Sequence, residues 1–338
     1  MKVTRIGIDL AKQVFQVHGV DRHDKVVIRK QLTRAKMRGF FAQLSPCLIG
    51  IEACASAHYW ARELSQFGHT VRLIAPQFVR PYRKNPKNDG NDAEAICEAV
   101  SRPAIRFVPV KSVAQQAVLT VHRARELLVG DRTALVNQIR GLLAEYGIVV
   151  PQGIARLRRV LPSVLDDAAN GLPGLAREII AELQERLWDL DARIAAYDRR
   201  IAQLARQHEA AQRLMQLEGV GAVTATAIMA TIGDGKAFKN GRQFAAWLGL
   251  VPQQYSSGGK TRLGHISKRG NVSLRTLLIH GARSVLQLAG QRTDAKSRWA
   301  EQPKQRRGNN IAAVALAAKH ARIIWAILAR GQEYRQAA

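Results

Sequence analysis

Residues 3–12 read Val-Thr-Arg-Ile-Gly-Ile-Asp-Leu-Ala-Lys, and this stretch decides the fold. Ile6 and Ile8 alternate with smaller or polar residues, which predicts a β-strand with one buried face. Asp9 lies inside the same apolar stretch, where a carboxylate is costly unless it is paired or binds a cation. A turn-capping role is the simpler alternative for Asp9. The cation-binding interpretation gains weight if further acidic residues converge on it.

The composition points to a polyanionic partner. The chain has 338 residues, 52 basic and 26 acidic side chains and a formal net charge of +26. This length allows two or three domains, and the basic excess predicts nucleic acid as the partner. A membrane is the weaker alternative, because we find no apolar run of about 18 residues, no signal peptide and no lipidation motif. Cys47, Cys54 and Cys97 lack zinc-site spacing, so we expect buried thiols in a reducing cytoplasm.

The first 110 residues predict one mixed sheet flanked by helices. The segments follow the order βββαβαβα, which is typical of an α/β domain. Strands are expected at 3–10, 13–20, 25–31, 48–52 and 70–75, and helices near 33–44, near 57–67 and from Asp89 onward.

Three further acidic residues are placed to meet Asp9. Glu52 ends the fourth strand and can face Asp9 if the first and fourth strands are neighbours. Asp89 and Asp92 are three residues apart, so they project from one face of a first helical turn, although helix capping would also explain them. Four like charges held together repel. Two Mg²⁺ ions about 4 Å apart would neutralise them and support phosphoryl transfer.

The acidic pattern resembles a known family. Gly7-Ile8-Asp9, Ile51-Glu52-Ala53 and Asn88-Asp89-Gly90-Asn91-Asp92-Ala93-Glu94-Ala95 resemble the RuvC-like DEDD domain of insertion-sequence family 110 transposases, also called Piv/MooV-type recombinases, with subgroup 1111 as the best match. The resemblance covers essentially the whole chain and implies an RNase H-like (RuvC-like) α/β domain at residues 1–110. In the basic loop before the last acidic pair, Arg83, Lys84 and Lys87 are expected to contact nucleic acid.

The middle region, residues 111–210, predicts two long helices at 113–146 and 176–204 with a polar connection between them. The apolar seam of the first helix is expected to end with Leu142 and Tyr146. The second has a sustained heptad pattern, which is typical of a coiled coil. Arg125 and Arg132 interrupt the apolar positions of the first helix and need acidic partners. Possible partners are Glu182, Glu185 and Asp189. The pattern leaves open whether the helices pair within one chain or between chains. The resemblance implies a coiled-coil insertion used in assembly, and a plain spacer is equally compatible.

The last region, residues 211–338, predicts a mostly helical and basic domain. Gly219-Val220-Gly221 lies between two helical segments and resembles a helix-hairpin-helix element, which contacts the DNA backbone; a structural turn is as compatible. Residues 235–293 contain no Asp or Glu, which predicts a phosphate-contacting face. Its basic residues are Lys236, Lys239, Arg242, Lys260, Arg262, Lys268, Arg269, Arg275, Arg283 and Arg292. We expect helices at 272–288 and 310–330, a loop between them, and His320 in packing.

Two adjacent serines, Ser256 and Ser257, lie between glycines in this basic region. A serine hydroxyl becomes a nucleophile only when a neighbour takes its proton or stabilises its charge, so a flexible loop is the alternative. The Ser-Gly step followed by Ile-Ser-Lys-Arg-Gly-Asn resembles the transposase domain of the same family. The resemblance implies that Ser257, with Ser256 as rival, links covalently to DNA. It further implies nucleic-acid contacts by Lys268 and Arg269, besides Lys260 and Arg262.

Together these expectations describe a transposase or site-specific DNA recombinase that uses Mg²⁺ at Asp9, Glu52, Asp89 and Asp92. The resemblance implies a structured guide RNA encoded by the element, and recombination implies a dimer or tetramer in the bacterial cytoplasm, associated with the nucleoid. It remains open whether both half-sites come from one protomer. Three alternative functions are considered. One is a junction resolvase that uses only the four acids for hydrolysis. The others are a sugar-kinase-like ATPase, whose fold also begins with Gly-Ile-Asp, and a nucleic-acid binder without catalysis.

Overall fold

A computed structural model describes residues 2–85, 88–292 and 294–334. By its internal contacts the chain divides into two units, residues 1–113 and 114–338. Lys87, one of the predicted nucleic-acid contacts, lies outside the described residues.

The first unit contains a six-stranded mixed sheet with strand order β3-β2-β1-β4-β5-β6. The strands are β1 (Arg5–Leu10), β2 (Val14–Val20), β3 (Val26–Thr33), β4 (Leu48–Glu52), β5 (Thr70–Ile74) and β6 (Phe107–Val108). Strand β1 pairs antiparallel with β2 and parallel with β4. The first five strands confirm the sequence prediction, whereas the two-residue β6 was missed because it has too few residues to show alternation.

Helices cover both faces of this sheet. They are α1 (Met37–Ala42), α2 (Ala57–Ser65), α3 (Pro76–Val79) and α4 (Asp89–Val100), with 3₁₀ turns at Arg34–Lys36 and Arg80–Tyr82. Ile6, Ile8 and Phe15 are fully buried in the cluster that includes α1 and α2. A second cluster on α4 contains Ile96 and Val100. The alternation in β1 therefore reflects two covered faces, one apolar and one approached closely by α4.

Glycines allow α4 to approach the sheet. Gly7 and Gly50 are paired in register on β1 and β4. A Cβ at Gly7 would overlap the Ala93 carbonyl oxygen, and a Cβ at Gly50 would lie 2.8 Å from the Cβ of Val100. The position of α4 therefore depends on the absence of side chains at both glycines.

The second unit is mostly helical and carries one small hairpin. Its elements are α5 (Val113–Ala144), α6 (Ile154–Asp166), α7 (Gly174–Gln207), α8 (Glu209–Met215), α9 (Ala222–Ile232), α10 (Gly241–Trp247), β7 (Pro252–Gln254), β8 (Leu263–Ile266), α11 (Val272–Ala289), α12 (Ala295–Arg307) and α13 (Asn309–Arg330). Its largest apolar cluster draws residues from α8 to α13 and includes Ala205 at the end of α7. The buried His320 lies on α13 beside this cluster.

Helices α5 and α7 pack against each other within the chain. Arg125 forms an ion pair with Asp198 at 2.5 Å, and Arg132 forms one with Asp191 at 3.0 Å. The arginines and the aspartates occur in opposite order along their helices, so α5 and α7 run antiparallel. The predicted need for acidic partners is confirmed. The three candidates named from the sequence, Glu182, Glu185 and Asp189, were the wrong ones, because they lie on other faces of α7.

Two helices occupy segments that were predicted to be a polar connection and a loop. Helix α6 contains Pro162 and buries Leu157 and Leu161, and α12 contains Pro303. Asp294 caps α12, since its side chain accepts a hydrogen bond from the Ser297 amide at 3.0 Å. The loop predictions were wrong because proline was given more weight than capping and partial apolar periodicity.

Two expectations about exposure are also modified. Helix α13 has 22 residues and is long and apolar enough to cross a membrane by length and composition, but 56 % of its most apolar window is buried within the unit. Of the three cysteines, Cys47 and Cys97 are buried as expected, whereas Cys54 is exposed.

Candidate functional site

Asp9 and Glu52 lie at the same end of two neighbouring strands. Strands β1 and β4 are parallel, with Gly7 opposite Gly50 and Ile8 opposite Ile51. Asp9 and Glu52 are the next residues in this register, so both carboxylates follow the glycines at the carboxyl ends of the strands. Both residues are partly buried.

The first turn of α4 supplies the other two acids. Asn88 caps the helix, because its side chain accepts a hydrogen bond from the Asn91 amide at 2.8 Å. Asp89 is exposed, whereas Asp92 is only 8 % exposed. Since α4 lies against β1 and β4, its first turn is at the end of the sheet that carries Asp9.

The pKa of Asp9 reports the proximity of these charges. It is raised from 3.8 to about 6, first by burial and then by repulsion from Asp92, Asp89 and Glu52, while Arg83 lowers it. All three acids expected to converge on Asp9 therefore interact with it electrostatically. Such a raised pKa is typical of carboxylates that share a site.

Arg83 is paired with two members of this acidic cluster, which we define as Asp9, Glu52, Asp89 and Asp92. One of its terminal nitrogens donates to Glu52 Oε2 at 2.8 Å, and its Nε lies 3.0 Å from Asp92 Oδ1. Lys84 pairs with Glu94 at 2.5 Å. In this arrangement both cations neutralise carboxylates, and their contact with nucleic acid stays a prediction.

The donor chemistry of the acidic cluster fits a divalent cation. Carboxylate oxygens are the hard ligands that Mg²⁺ prefers, and the mutual repulsion at Asp9 is what a bound cation would relieve. Among the described residues, no group of three or more acidic, histidine or cysteine side chains is close enough to hold one ion as it stands. The ion pairs of Arg83 provide a reason, since they hold Glu52 and Asp92.

The predicted serine segment forms a β-hairpin in the second unit. Strands β7 and β8 are antiparallel, and the Lys260 amide donates to the Ser257 carbonyl at 3.0 Å. Gly258 and Gly259 between them have φ of +55° and +77°. Positive φ at both central residues is typical of the type I′ turns that close two-residue hairpins. Ser257 therefore lies at the exposed tip of a β-turn, whereas the alternative interpretation of the sequence was a flexible loop.

The hairpin distinguishes the two serines. The Ser256 hydroxyl accepts hydrogen bonds from Gln254 Nε2 at 2.8 Å and from the Arg262 amide at 3.3 Å. The Ser257 hydroxyl makes no hydrogen bond to another described residue, and the side chain is exposed. Ser256 thus stabilises the hairpin, while the Ser257 hydroxyl is available for an external group.

The basic residues near this hairpin have different environments. Lys260, Arg262, Lys268 and Arg269 are exposed. Arg275, which was predicted to belong to the phosphate-contacting face, is only 7 % exposed and donates to the carbonyls of Leu248 and Arg269 at 3.0 and 3.1 Å. Arg275 therefore fixes the loop that carries Lys268 and Arg269, and its guanidinium is directed into the fold.

The Gly-Val-Gly motif divides in a similar way. A Cβ at Gly219 would lie 2.6 Å from the Gly281 carbonyl oxygen, so this glycine is needed for packing against α11. Gly221 caps α9, and apart from its chain neighbours no atom of the described residues lies within 4 Å of its Cβ position. Of the two predicted backbone-contacting glycines, Gly221 has the more open surroundings.

Sequence reasoning missed the glycine pair, the ion pairs of Arg83 and the buried role of Arg275. One signal was available for the first. Gly7-Ile8-Asp9 and Gly50-Ile51-Glu52 repeat the pattern glycine, isoleucine, acid. When two strands with this pattern pair in register, the two glycines are neighbours and the two carboxylates are neighbours. The other two depend on tertiary contacts that have no local signal.

An acidic cluster at the end of a mixed sheet and an exposed basic hairpin on a helical unit are features expected of the class of proteins that act on nucleic acid. Comparison with known families specifies this class. The DEDD transposase model of the IS110 elements matches residues 6–148, and the model of the IS116/IS110/IS902 transposase family matches residues 211–298.

Similar proteins extend over almost the whole chain. A probable family 20 transposase of Pseudomonas aeruginosa is 56 % identical over 99 % of both chains. The transposase of element IS1111A of Coxiella burnetii is 44 % identical over 98 % of this chain and 91 % of its own, and that of element IS1328 of Yersinia enterocolitica is 41 % identical over 97 % and 98 %. The chain belongs to the IS110 family of insertion-sequence transposases and is thus an enzyme that acts on DNA.

Proposed function

We propose that this transposase breaks and rejoins DNA strands through a cation-binding acidic cluster and a covalent serine intermediate. Asp9, Glu52, Asp89 and Asp92 would hold Mg²⁺, and Ser257 would attack the DNA. The observation that carries the proposal is the position of Asp9 and Glu52 at the carboxyl ends of the paired strands β1 and β4, with Asp89 and Asp92 on the first turn of the helix that packs on these strands. The raised pKa of Asp9 supports it. When bound, Mg²⁺ would stabilise the negative charge that develops on the attacking and leaving oxygens.

The proposed reaction exchanges phosphodiester bonds without net hydrolysis. The Ser257 oxygen loses its proton and bonds to a DNA phosphorus, while the bond from that phosphorus to one DNA oxygen breaks and this oxygen takes up a proton. In the second step a DNA hydroxyl loses its proton and bonds to the same phosphorus, while the bond from that phosphorus to the Ser257 oxygen breaks and Ser257 takes up a proton. This step joins the new strand. Lys260 and Arg262, exposed beside Ser257, would bind the flanking phosphates.

The assembly around this chemistry is proposed at the same level. We infer an RNase H-like (RuvC-like) fold for residues 1–110, a coiled-coil insertion at 111–210 formed around α5 and α7, and a transposase domain at 211–338. The formal charge of +26 supports binding of DNA and of a structured guide RNA from the element. A dimer or tetramer would handle the several strands that recombination joins.

Adduct trapping tests the chemistry. The protein, with RNA co-purified from its host, is incubated with labelled element-junction DNA and Mg²⁺, and DNA-linked protein is sought on a denaturing gel. We expect an adduct that is lost in Ser257→Ala and in Asp9→Asn. Ser256→Ala is the matched control, and it should retain an adduct because its hydroxyl serves the hairpin.

Other outcomes separate the rivals. One outcome is DNA cleavage without an adduct, where the cleavage is lost in Asp9→Asn and unaffected in Ser257→Ala. It would identify a hydrolytic nuclease or junction resolvase and reject the role of Ser257. An adduct that disappears in Ser256→Ala and persists in Ser257→Ala would transfer the nucleophile to Ser256. Activity that is unchanged in Asp9→Asn would reject the acidic cluster as the catalytic site.

A further inference from the structure

A polar cavity of about 290 Å³ lies between α4 and strands β2 and β3, next to the acidic cluster. Gln16 is paired in register with Asp9, and Gln31 is paired with Gln16. Residues paired across antiparallel strands lie on one face, about 4.5–5.5 Å apart. The three side chains therefore form a row from the acidic cluster to the edge strand, and the cavity begins one strand away from Asp9.

The helical wall of the cavity also belongs to the acidic cluster. Asn88 at the N-cap of α4 and Asn91 in its first turn line the cavity, and the same turn carries Asp89 and Asp92. The cavity and the proposed cutting site thus share one wall and one strand pairing. A ligand in the cavity would lie directly beside a phosphate bound at the carboxylates.

His18 is a buried polar group that faces this cavity. It is 4 % exposed, lines the cavity and makes no hydrogen bond among the described residues. Burial lowers its pKa, and Arg29 and Lys84 lower it further, while Glu94 opposes them. The lowered pKa favours the neutral ring, which offers one donor and one acceptor. Its register partner Arg29 stands at the exposed edge, 3.6 Å from Glu94.

The chemistry of the walls matches a nucleobase. The amides of Gln16 and Gln31 make no hydrogen bond among the described residues, and each offers a donor and an acceptor on one plane. The edge of a base carries the same alternation of donors and acceptors, and asparagine and glutamine are common readers of it. Ligand pockets span about 300–1,000 Å³, so this cavity suits one base better than a strand.

We propose that this cavity binds the base of the DNA nucleotide adjoining the phosphate that is cut. Gln16, Gln31 and His18 hydrogen-bond to the edge of that base, and Arg29 contacts its neighbouring phosphate. The enzyme thereby selects the base at the cut directly, apart from any pairing with RNA. The inference rests on the proposed function for the position of the cut phosphate.

Fluorescent base substitution tests the cavity without cleavage. Full-length protein in EDTA is titrated with element-junction DNA that carries 2-aminopurine at successive positions around the cut. We expect a fluorescence change at one position flanking the cut, because the base leaves the stack on entering the cavity. The change should be lost in Gln31→Ala and Gln16→Ala. It should persist in Gln43→Ala, which removes an exposed amide of the same unit that does not line the cavity.

A kinetic measurement with Mg²⁺ adds a readout that a folding defect does not mimic. The wild type should discriminate among the four bases at that position by about tenfold or more, as for a well-placed bidentate contact. Gln31→Ala should cleave all four with discrimination below about threefold, while the Gln43→Ala control keeps the wild-type ratio.

The outcomes separate this inference from the proposed function. If adduct formation is intact and the fluorescence at every flanking position is independent of Gln16 and Gln31, the cavity assignment is wrong and the serine chemistry is retained. A dependent signal without any adduct supports the cavity and rejects the serine step. The same titration is made with an oligonucleotide of the co-purified RNA's sequence that carries 2-aminopurine. A fluorescence change that depends on Gln16 or Gln31 with this RNA, and no such change with DNA, overturns the assignment to the cut strand.

Discussion

Gly7 and Gly50 are direct neighbours across the parallel pairing of β1 and β4, and α4 rests on both of them. Each glycine is followed two residues later by a carboxylate, Asp9 or Glu52. The glycines therefore set the distance of α4 from the sheet, and this distance sets how closely Asp89 and Asp92 approach the strand carboxylates. Packing and the acidic cluster depend on the same two positions.

Substitution of the glycines should damage the fold in a graded order. A methyl group at Gly7 would overlap backbone atoms of α4, which cannot rotate away, whereas at Gly50 it mainly meets the side chains of Val100 and Ile96. We expect Gly7→Ala to cost about 3 kcal/mol or more of unfolding free energy and Gly50→Ala about 1–3 kcal/mol. Chemical denaturation measures both values.

Gly39 in α1 provides the matched control. Outside its own helix, no atom of the part of the chain that the structure describes lies within 4 Å of its Cβ position. Gly39→Ala should therefore be neutral or stabilise by about 0.5–1 kcal/mol through helix propensity. Equal effects of Gly7→Ala and Gly39→Ala would contradict the close approach of α4.

Arg83 should compete with divalent cations for the acidic cluster. Its ion pairs with Glu52 and Asp92 must be released before those oxygens can bind a metal. We expect Arg83→Met to lower the thermal unfolding temperature in EDTA, because partly buried carboxylates lose their counter-charge. The variant should also bind Mg²⁺ roughly fivefold more tightly, which corresponds to about 1 kcal/mol of released ion pairing.

Calorimetric titration with Mg²⁺ measures this affinity without any substrate. Lys84→Met is the control, since Lys84 pairs with Glu94 outside the acidic cluster; its Mg²⁺ affinity should match the wild type. Asp9→Asn should bind Mg²⁺ more weakly. Weaker Mg²⁺ binding by Arg83→Met would show that Arg83 supports the cation site.

The places of the acids along the elements of the first unit could be predicted from the sequence because strand ends and helix caps have local signals, whereas the neighbouring position of β1 and β4 could only be assumed. Asp9 and Glu52 end apolar strands, and Asn88 begins a helix with Asp89 and Asp92 in its first turn. The pairing of Arg83 with two of them could not be predicted, since it depends on how a loop returns to the sheet. The same spacing of charges would fit a loop directed towards solvent.

In the second unit, the apolar periodicity predicted the contact face of α7 correctly and that of α5 only in part. The heptad positions of α7 were mostly right, with Ile180, Leu187, Leu190 and Ile194 buried. Near the end of α5 the prediction favoured Leu142 and Tyr146, yet these are 37 % and 43 % exposed. Leu143 is buried there instead, because α6 contributes to the same apolar cluster and covers a neighbouring face. A helix missed in the sequence thus displaced the predicted contact face of another.

The turn at the tip of the serine hairpin should tolerate asparagine and reject valine. Gly258 has φ of +55°, a conformation that asparagine adopts readily and that β-branched residues avoid. We expect Gly258→Asn to retain adduct formation with junction DNA and Gly258→Val to lose most of it, with unchanged thermal unfolding in both because the hairpin tip is exposed. Equal adduct yields from the two variants would show that the turn does not position Ser257.

His122 should make the second unit sensitive to acid. Its Nε2 lies 3.0 Å from the Thr226 hydroxyl, which itself donates to the Ala222 carbonyl at 2.7 Å, so the imidazole is the donor. Burial lowers the pKa of His122 from 6.5 to about 4, and Arg125 adds to this effect. Between these values the unfolded chain binds the proton more readily than the folded chain. This contribution to stability is therefore present above pH 6.5 and decreases as the pH falls towards 4.

Thermal unfolding at two pH values tests the role of His122. The drop in unfolding temperature from pH 7.5 to pH 5 should be smaller in His122→Gln than in the wild type. His280→Gln is the control, because it removes an exposed imidazole of the same unit, and it should behave as the wild type. An equal drop in all three proteins would exclude His122 as a source of the acid sensitivity.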